Sequence, residues 1–212
     1  LNQWFFKISE YSEELLEGLS EIGDWPENVK AMQKNWIGKS QGAEFSLQIK
    51  NLEDSIKVFT TRPDTLFGMT FAVISPEHEL MNKIIEHSSN SEKITNYVDN
   101  AKSKTEFERM SLTKEKTGVD TGLKVINTIN NEEVSLWVTD YVLTNYGTGA
   151  IMAVPAHDKR DYDFAKKYNI EIKQVISDKS QSKNTDIEAF TDEGYLINSG
   201  KFDGLKSHTE GS

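Results

Sequence analysis

A mixed α/β domain, built around a curved sheet or barrel with flanking helices, is the fold this sequence predicts, and three observations carry the prediction. Short apolar or alternating segments recur between turn residues. Helical periodicities are interleaved with them, and no internal repeat organises the 212 residues. Hydrophobic residues make up 36% of the chain and aromatic residues 10%, enough to bury a core rather than remain disordered.

Residues 1–38 read as two short helices. Tyr11, Leu15, Leu16 and Leu19 recur at helical spacing in the first. The second has Asp24 as its N-cap, Pro26 in its first turn and Glu27 three residues after the cap, with Val29, Met32 and Trp36 along one face. A polar hinge follows at Gly38-Lys39-Ser40-Gln41-Gly42. Residues 39–205 form the main domain and residues 206–212 a tail.

Within the main domain, Glu44 to Ile49 and Ser55 to Thr60 alternate as strands around a polar turn, and Phe71 to Ile74 is a short apolar strand. Pro76 to Glu86 and Ser91 to Lys102 read as helices. Leu123 to Ile129 and Glu133 to Val138 flank a hairpin turn at Asn130-Asn131. Ile151 to Val154 is a buried strand stopped by Pro155, Asp158 to Tyr168 a helix, Ile172 to Ile176 another strand, and Lys179 to Asp186 a polar loop.

Composition excludes several classes. Without cysteine there is no disulfide and no thiolate metal site, which suits a reducing cytoplasm. No apolar run approaches the roughly 20 residues that span a bilayer, so no membrane partner is expected. The net charge of −10, from 24 basic and 34 acidic residues, opposes tight RNA binding by this chain alone, because phosphate neutralisation dominates such affinity. The chain opens on Leu1 and ends without a structural stop, and reads as part of a longer protein.

Two segments can carry chemistry. Thr60-Thr61-Arg62-Pro63-Asp64-Thr65-Leu66-Phe67-Gly68 places three threonines, an Arg and an Asp at a strand end, where Pro63 stops the ladder. Hydroxyls there can orient a water or donate to an oxyanion. The same residues also suit a plain turn, with Gly68 supplying a positive φ. The second segment runs from Gly147 to Asp161. Asp158-x-x-Asp161 suits a capped helix start, and Asp161 can alternatively point outward as an anion for a substrate ammonium group. His157 invites a general-base reading, although a lone His before a helix is commonly structural. No second histidine lies at ligand spacing, so no metal is expected. Two of the three arginines, Arg62 and Arg160 but not Arg109, fall in these segments.

Both segments closely resemble the editing domain inserted into bacterial-type leucyl-tRNA synthetases. The resemblance covers nearly the whole chain, adding Gln3-Trp4-Phe5-Phe6-Lys7-Ile8, Trp25-Pro26 and Met32 to Ser40 in the right order. Asp64 to Gly68 and Pro155 to Asp161 look like the leucyl version rather than the valyl or isoleucyl one. Ala156 stands where many relatives are expected to carry Gly.

That resemblance implies the editing fold of valyl, isoleucyl and leucyl enzymes and hydrolysis of the aminoacyl ester of mischarged tRNA(Leu). One methylene is worth only about 1–3 kcal/mol in an apolar pocket, so a second, hydrolytic site is needed to clear errors. By the same resemblance Asp161 holds the substrate α-amino group, Thr60 and Thr61 flank the ester and its water, and Thr65 excludes leucine. Arg62 places substrate or braces the loop. Tyr146, Met152, Val154, His157 and Asp158 complete the substrate site. Editing needs no cofactor. ATP and Mg serve the parent's synthetic site, whose His-Ile-Gly-His and Lys-Met-Ser-Lys-Ser signatures are missing here. The implied partners are the tRNA(Leu) acceptor end with its terminal adenosine and the rest of a monomeric synthetase. Two alternatives remain: a valyl or isoleucyl editing domain, and a non-catalytic module that docks the acceptor end.

Overall fold

The computed structural model describes residues 4, 6–39, 41–104, 108–109, 115–142, 148–178 and 188–207. They divide into two compact units, Leu1–Gln41 and Gly42–Ser212. In the first, a 3-10 turn at Ile8–Tyr11 leads into α1 (Ser12–Gly18), and α2 (Glu27–Ile37) follows. The expected Asp24 cap is not used. α2 begins at Glu27, with Pro26 at the cap position and no side-chain bond to the free N–H groups. The expected apolar face of α2 is not packed either: Met32 is 67% and Trp36 88% exposed.

The larger unit is built on a six-stranded sheet in the order β2-β1-β4-β5-β3-β6. Its strands are β1 (Ala43–Ile49), β2 (Ser55–Thr60), β3 (Phe71–Ile74), β4 (Gly118–Ile126), β5 (Glu133–Thr139) and β6 (Ala150–Ala153). All neighbours are antiparallel except β3 and β5. A parallel pair needs a crossover, and α3 (Met81–His87), α4 (Ser91–Lys102) and β4 make up that connection. The sheet is curved rather than a closed barrel: the two edge strands, β2 and β6, lie side by side without a ladder between them.

β3 explains why Phe71 to Ile74 reads as an unbroken apolar run: both of its faces are covered. Ala72 and Ile74 join Leu47, Val58, Leu136, Val138 and Met152 in the core beneath α3 and α4. Phe71 and Val73 face the opposite way, onto α5 (Lys159–Tyr168), where Phe164 stacks on Phe71 at 5.3 Å and meets Trp137 edge-on at 5.3 Å. Full burial of the Phe164 ring contributes about 2 kcal/mol and fixes α5 against the sheet.

Three predicted elements differ in their bounds from expectation, two of them being shorter and the strand expected over 123–129 lying instead at Gly118–Ile126. The helix over 76–86 starts only at Met81, because Ser75 Oγ and His78 Nδ1 accept the N–H groups of Glu77 and Leu80 in local turns. The Asn130-Asn131 turn is part of a longer connection: β4 stops at Ile126, Asn127 Oδ1 accepts from Ile129 N, and Asn131 takes φ 58°. The strand over 172–176 contracts to β7 (Ile176–Ser177), paired with β8 (Tyr195–Leu196). The N–H groups of Val175 and Ile176 go to a histidine instead of a ladder. The predicted loop at 179–186 lies outside the described residues.

Candidate functional site

At the end of β2 the chain turns sharply through a 3-10 segment, Pro63–Gly68. Thr60 is buried and its Oγ1 accepts from Arg62 N at 3.0 Å. Arg62 forks onto Asp64, with Nε–Oδ1 at 3.0 Å and Nη2–Oδ2 at 2.9 Å. The Asp64 side chain is fully buried and that of Arg62 is 20% exposed, so the pair braces the loop rather than reaching outward. Thr65 is buried and its Oγ1 donates to Arg62 O at 2.8 Å. Its hydroxyl is thus spent on the backbone, which fixes the orientation of the side chain. Thr61 is exposed beside it.

Sequence offered no sign of what secures the far end of this loop. Asn127 Nδ2, 61 residues away, donates to Leu66 O at 3.0 Å. Gly68 does not adopt the expected positive φ. A Cβ there would approach Val175 Cγ2 to 2.8 Å and Lys173 O to 3.0 Å, so close packing selects glycine.

The second segment lies alongside the first, because β6 neighbours β2. Leu66, Met152 and Val154 share one core cluster. Met152 and Val154 are both nearly buried in that cluster. Beyond β6, Asp158 caps α5 as expected: its Oδ1 accepts from Arg160 N at 2.8 Å and Asp161 N at 3.1 Å. Its other oxygen pairs with Arg160 Nη2 at 3.2 Å. Both Asp158 oxygens are engaged within the helix start, which leaves it a capping residue.

His157 is buried, and both of its ring nitrogens have partners within the chain. Its Nδ1 meets Phe190 O at 2.9 Å, while Nε2 accepts from Val175 N at 3.0 Å and Ile176 N at 3.2 Å. Two N–H donors at Nε2 require the proton on Nδ1, so the ring is neutral and both nitrogens are committed. Burial pushes its pKa down to about 4, aided by the nearby Arg62 and opposed by the Phe190 bond and Asp64.

Asp161 does not point outward. It is 3% exposed, and Oδ2 accepts from Val154 N at 2.9 Å. The other oxygen, Oδ1, is buried with no hydrogen-bond partner. Burial and the neighbouring Asp158 push its pKa up to about 7, against the Val154 N–H and Arg160. A buried acceptor at one end of a rigid helix is suited to a cationic donor: an ammonium would supply the missing bond and favour the ionised form. Tyr146 lies outside the described residues; Thr60, Thr61, Arg62 and Thr65 lie at the end of β2 and just beyond it, and Met152 to Asp161 run from β6 into the start of α5.

A family model described as leucyl-tRNA synthetase, editing domain, matches residues 34–212. The leucine–tRNA ligase of Clostridium tetani (strain Massachusetts / E88) is 52% identical over 207 residues, covering 98% of this chain and 24% of that protein. That of Fervidobacterium nodosum (strain ATCC 35602 / DSM 5306 / Rt17-B1) is 48% identical over 207 residues, covering 98% and 25%. Among solved structures, the ternary complex of Agrobacterium radiobacter K84 agnB2 LeuRS, tRNA and LeuAMS matches with a TM-score of 0.69 at 34% identity, over 88% of this chain and 22% of that chain. The chain spans about a quarter of the length of these curated relatives.

Proposed function

This chain belongs to the leucyl-tRNA synthetase editing-domain family, and on that premise we propose that its β2–β6 edge hydrolyses the aminoacyl ester of mischarged tRNA(Leu). The observation that carries the reading is the Asp161 carboxylate, buried, fixed through one oxygen by Val154 N–H and open at the other. The α-ammonium of an aminoacyl ester is the donor this oxygen lacks. With the ammonium anchored there, the ester lies toward the Thr60-Thr61 strand end, and the amino-acid side chain toward Thr65, Met152 and Val154.

The ester is already activated, and the ribose hydroxyl beside it helps orient a water. Positioned hydroxyls and an anchored substrate then supply most of the rate, without a metal or a strong general base. Thr65, locked by its bond to Arg62 O, denies space to the branched methyl of leucine and spares the correct product. The parent protein in this reading is a cytoplasmic, monomeric leucine–tRNA ligase that uses ATP and Mg at a separate synthetic site and grips the tRNA. The net charge of −10 leaves this chain reliant on that grip.

The test is deacylation of tRNA(Leu) carrying norvaline, isoleucine or leucine, by a full-length synthetase containing this segment. The wild type should clear the errors and leave leucyl-tRNA intact. Thr65→Ala should speed leucyl-tRNA hydrolysis by about 10- to 100-fold, the worth of the space released. If Thr65→Ala still spares leucyl-tRNA, the steric role is wrong. If the wild type binds the acceptor end but cleaves nothing, the segment is a docking module.

A further inference from the structure

The two polar segments are bridged by a third stretch of chain, residues 173–176. At one end of the bridge, the 3-10 segment Pro63–Gly68 that carries Thr65 closes directly on Val175. A Cβ on Gly68 would lie 2.8 Å from Val175 Cγ2 and 3.0 Å from Lys173 O, so no side chain fits between them. Phe67, the residue before, packs against Val175, Ile176 and Leu196. At the other end stands His157. Its Nε2 accepts from Val175 N at 3.0 Å and Ile176 N at 3.2 Å, and its Nδ1 donates to Phe190 O at 2.9 Å. Phe190 N returns a bond to Ala156 O at 2.8 Å, and Val175 O accepts from Ile197 N at 2.9 Å. Val175 and Ile176 are fully buried, in a small core distinct from the one that holds Leu66, Met152 and Val154.

We propose that His157 is a positioning residue for the rejection of leucine, acting through Val175 to fix where Thr65 stands relative to Asp161. This rests on the editing reading, with Thr65 as the steric element and Asp161 as the anchor. The hydrogen bonds that hold these two side chains are local: Thr65 Oγ1 bonds Arg62 O, and Asp161 Oδ2 bonds Val154 N. The spacing between the segments is therefore set by what joins them. Thr65 lies three residues before Gly68 in one short 3-10 segment, and Asp161 four residues after His157, across the Asp158 cap. The chain Gly68–Val175–His157 thus runs from one wall to the other as a strut. Imidazole suits its end, because one rigid ring accepts at Nε2 while donating at Nδ1. Steric rejection of a single methyl requires placement to within about 0.5 Å. Whichever way Thr65 leaves its place, some of the space it denied becomes free. A slackened strut therefore costs leucine rejection before it costs hydrolysis of an unbranched side chain.

Two pairs of variants, one at each end of the strut, test this in the full-length synthetase. His157→Ala should raise the ratio of leucyl- to norvalyl-tRNA(Leu) hydrolysis about ten-fold, part of what one methyl is worth. His157→Gln, whose Oε1 can take the place of Nε2 as acceptor for Val175 and Ile176, should keep most of the rejection. Gly68→Ala should raise the ratio about as much as His157→Ala, and adding Val175→Ala, which removes the methyls in its way, should bring it back. Methyl NMR of the 212-residue chain, labelled at threonine, reads the strut without any activity, with Thr65→Ser identifying the signal. His157→Ala and Gly68→Ala should move the Thr65 methyl. His157→Gln, which equally lacks the ring current, and Gly68→Ala with Val175→Ala should leave it near its wild-type position. Because the pairs act at opposite ends, either decides if a variant of the other fails to fold. A Thr65 methyl that stays put in folded His157→Ala or Gly68→Ala overturns the proposal, as does an unchanged ratio in an active synthetase. A methyl that moves as expected in a synthetase whose wild type cleaves no ester leaves the strut standing and removes the editing reading.

Discussion

The Thr60–Gly68 and Val154–Asp161 segments are both short, polar and largely buried, yet they spend their polar groups differently. In the first, Arg62 and Asp64 fork onto each other, Thr65 bonds Arg62 O, Thr60 accepts from Arg62 N, and no buried side-chain polar atom is left over among the described residues. In the second, His157 and Asp158 are likewise consumed by backbone groups, but Asp161 keeps one oxygen open. A closed network fixes shape. An open buried acceptor costs free energy, which shows in the raised pKa of Asp161, and such a cost is typical of a place where a ligand completes the bond.

The hardest test of this contrast is Asp161→Asn in the full-length synthetase. It removes the charge but keeps an oxygen for Val154 N–H, so deacylation of mischarged tRNA should fall by about 100- to 1,000-fold. The melting temperature at pH 8 should rise, since the buried anion is gone. A variant that loses stability but keeps its rate would make Asp161 a structural residue like its neighbours.

A pH titration of stability separates the two buried groups next. The unfolded chain protonates His157 near 6.5 and the folded chain only near 4. The unfolded state therefore takes up the proton first as the pH falls, and stability present above 6.5 is lost on the way down to 4, by about 3 kcal/mol. Asp161 acts in the opposite sense: folded it titrates near 7 and unfolded near 3.8, so its contribution falls as the pH rises through that window. The wild type should show a nearly flat profile from pH 6.5 to 4, and Asp161→Asn should reveal the full His157 slope in urea unfolding. Equal profiles would mean that one of the two groups is not buried as described.

The smallest effect belongs to the closed side. Asp64→Asn unpairs Arg62, whose side chain is one-fifth exposed and so partly rescued by water. A stability loss of about 2 kcal/mol is expected, with the rate on mischarged tRNA falling only as far as the loop shifts. A rate loss as large as that of Asp161→Asn would show that the loop does more than hold shape.

Legibility followed the range of the interactions. The β2 strand, the α4 helix and the Asp158 cap depend on neighbours within a few residues, and their boundaries were readable from alternation, periodicity and an N-cap residue. The helix over 76–86 misled because helical spacing does not reveal that Ser75 and His78 side chains satisfy the local N–H groups first. The partners of His157 were equally out of reach of local spacing, since they lie 18, 19 and 33 residues away.

The sequence by itself determined the fold class, the order of the two polar segments and, through their motifs, the family to which the chain belongs. Those properties are written in local spacing and residue type. Only the tertiary structure decided which polar atoms are closed and which are open. Burial and pairing depend on strands and loops brought together across the sheet: Asn127 under Leu66, Val154 onto one oxygen of Asp161, and the face of β5 that carries Trp137 against the helix that carries Phe164. A carboxylate four residues after a histidine reads the same in sequence whether it is satisfied or waiting, because the free energy that distinguishes the two comes from neighbours distant in the chain.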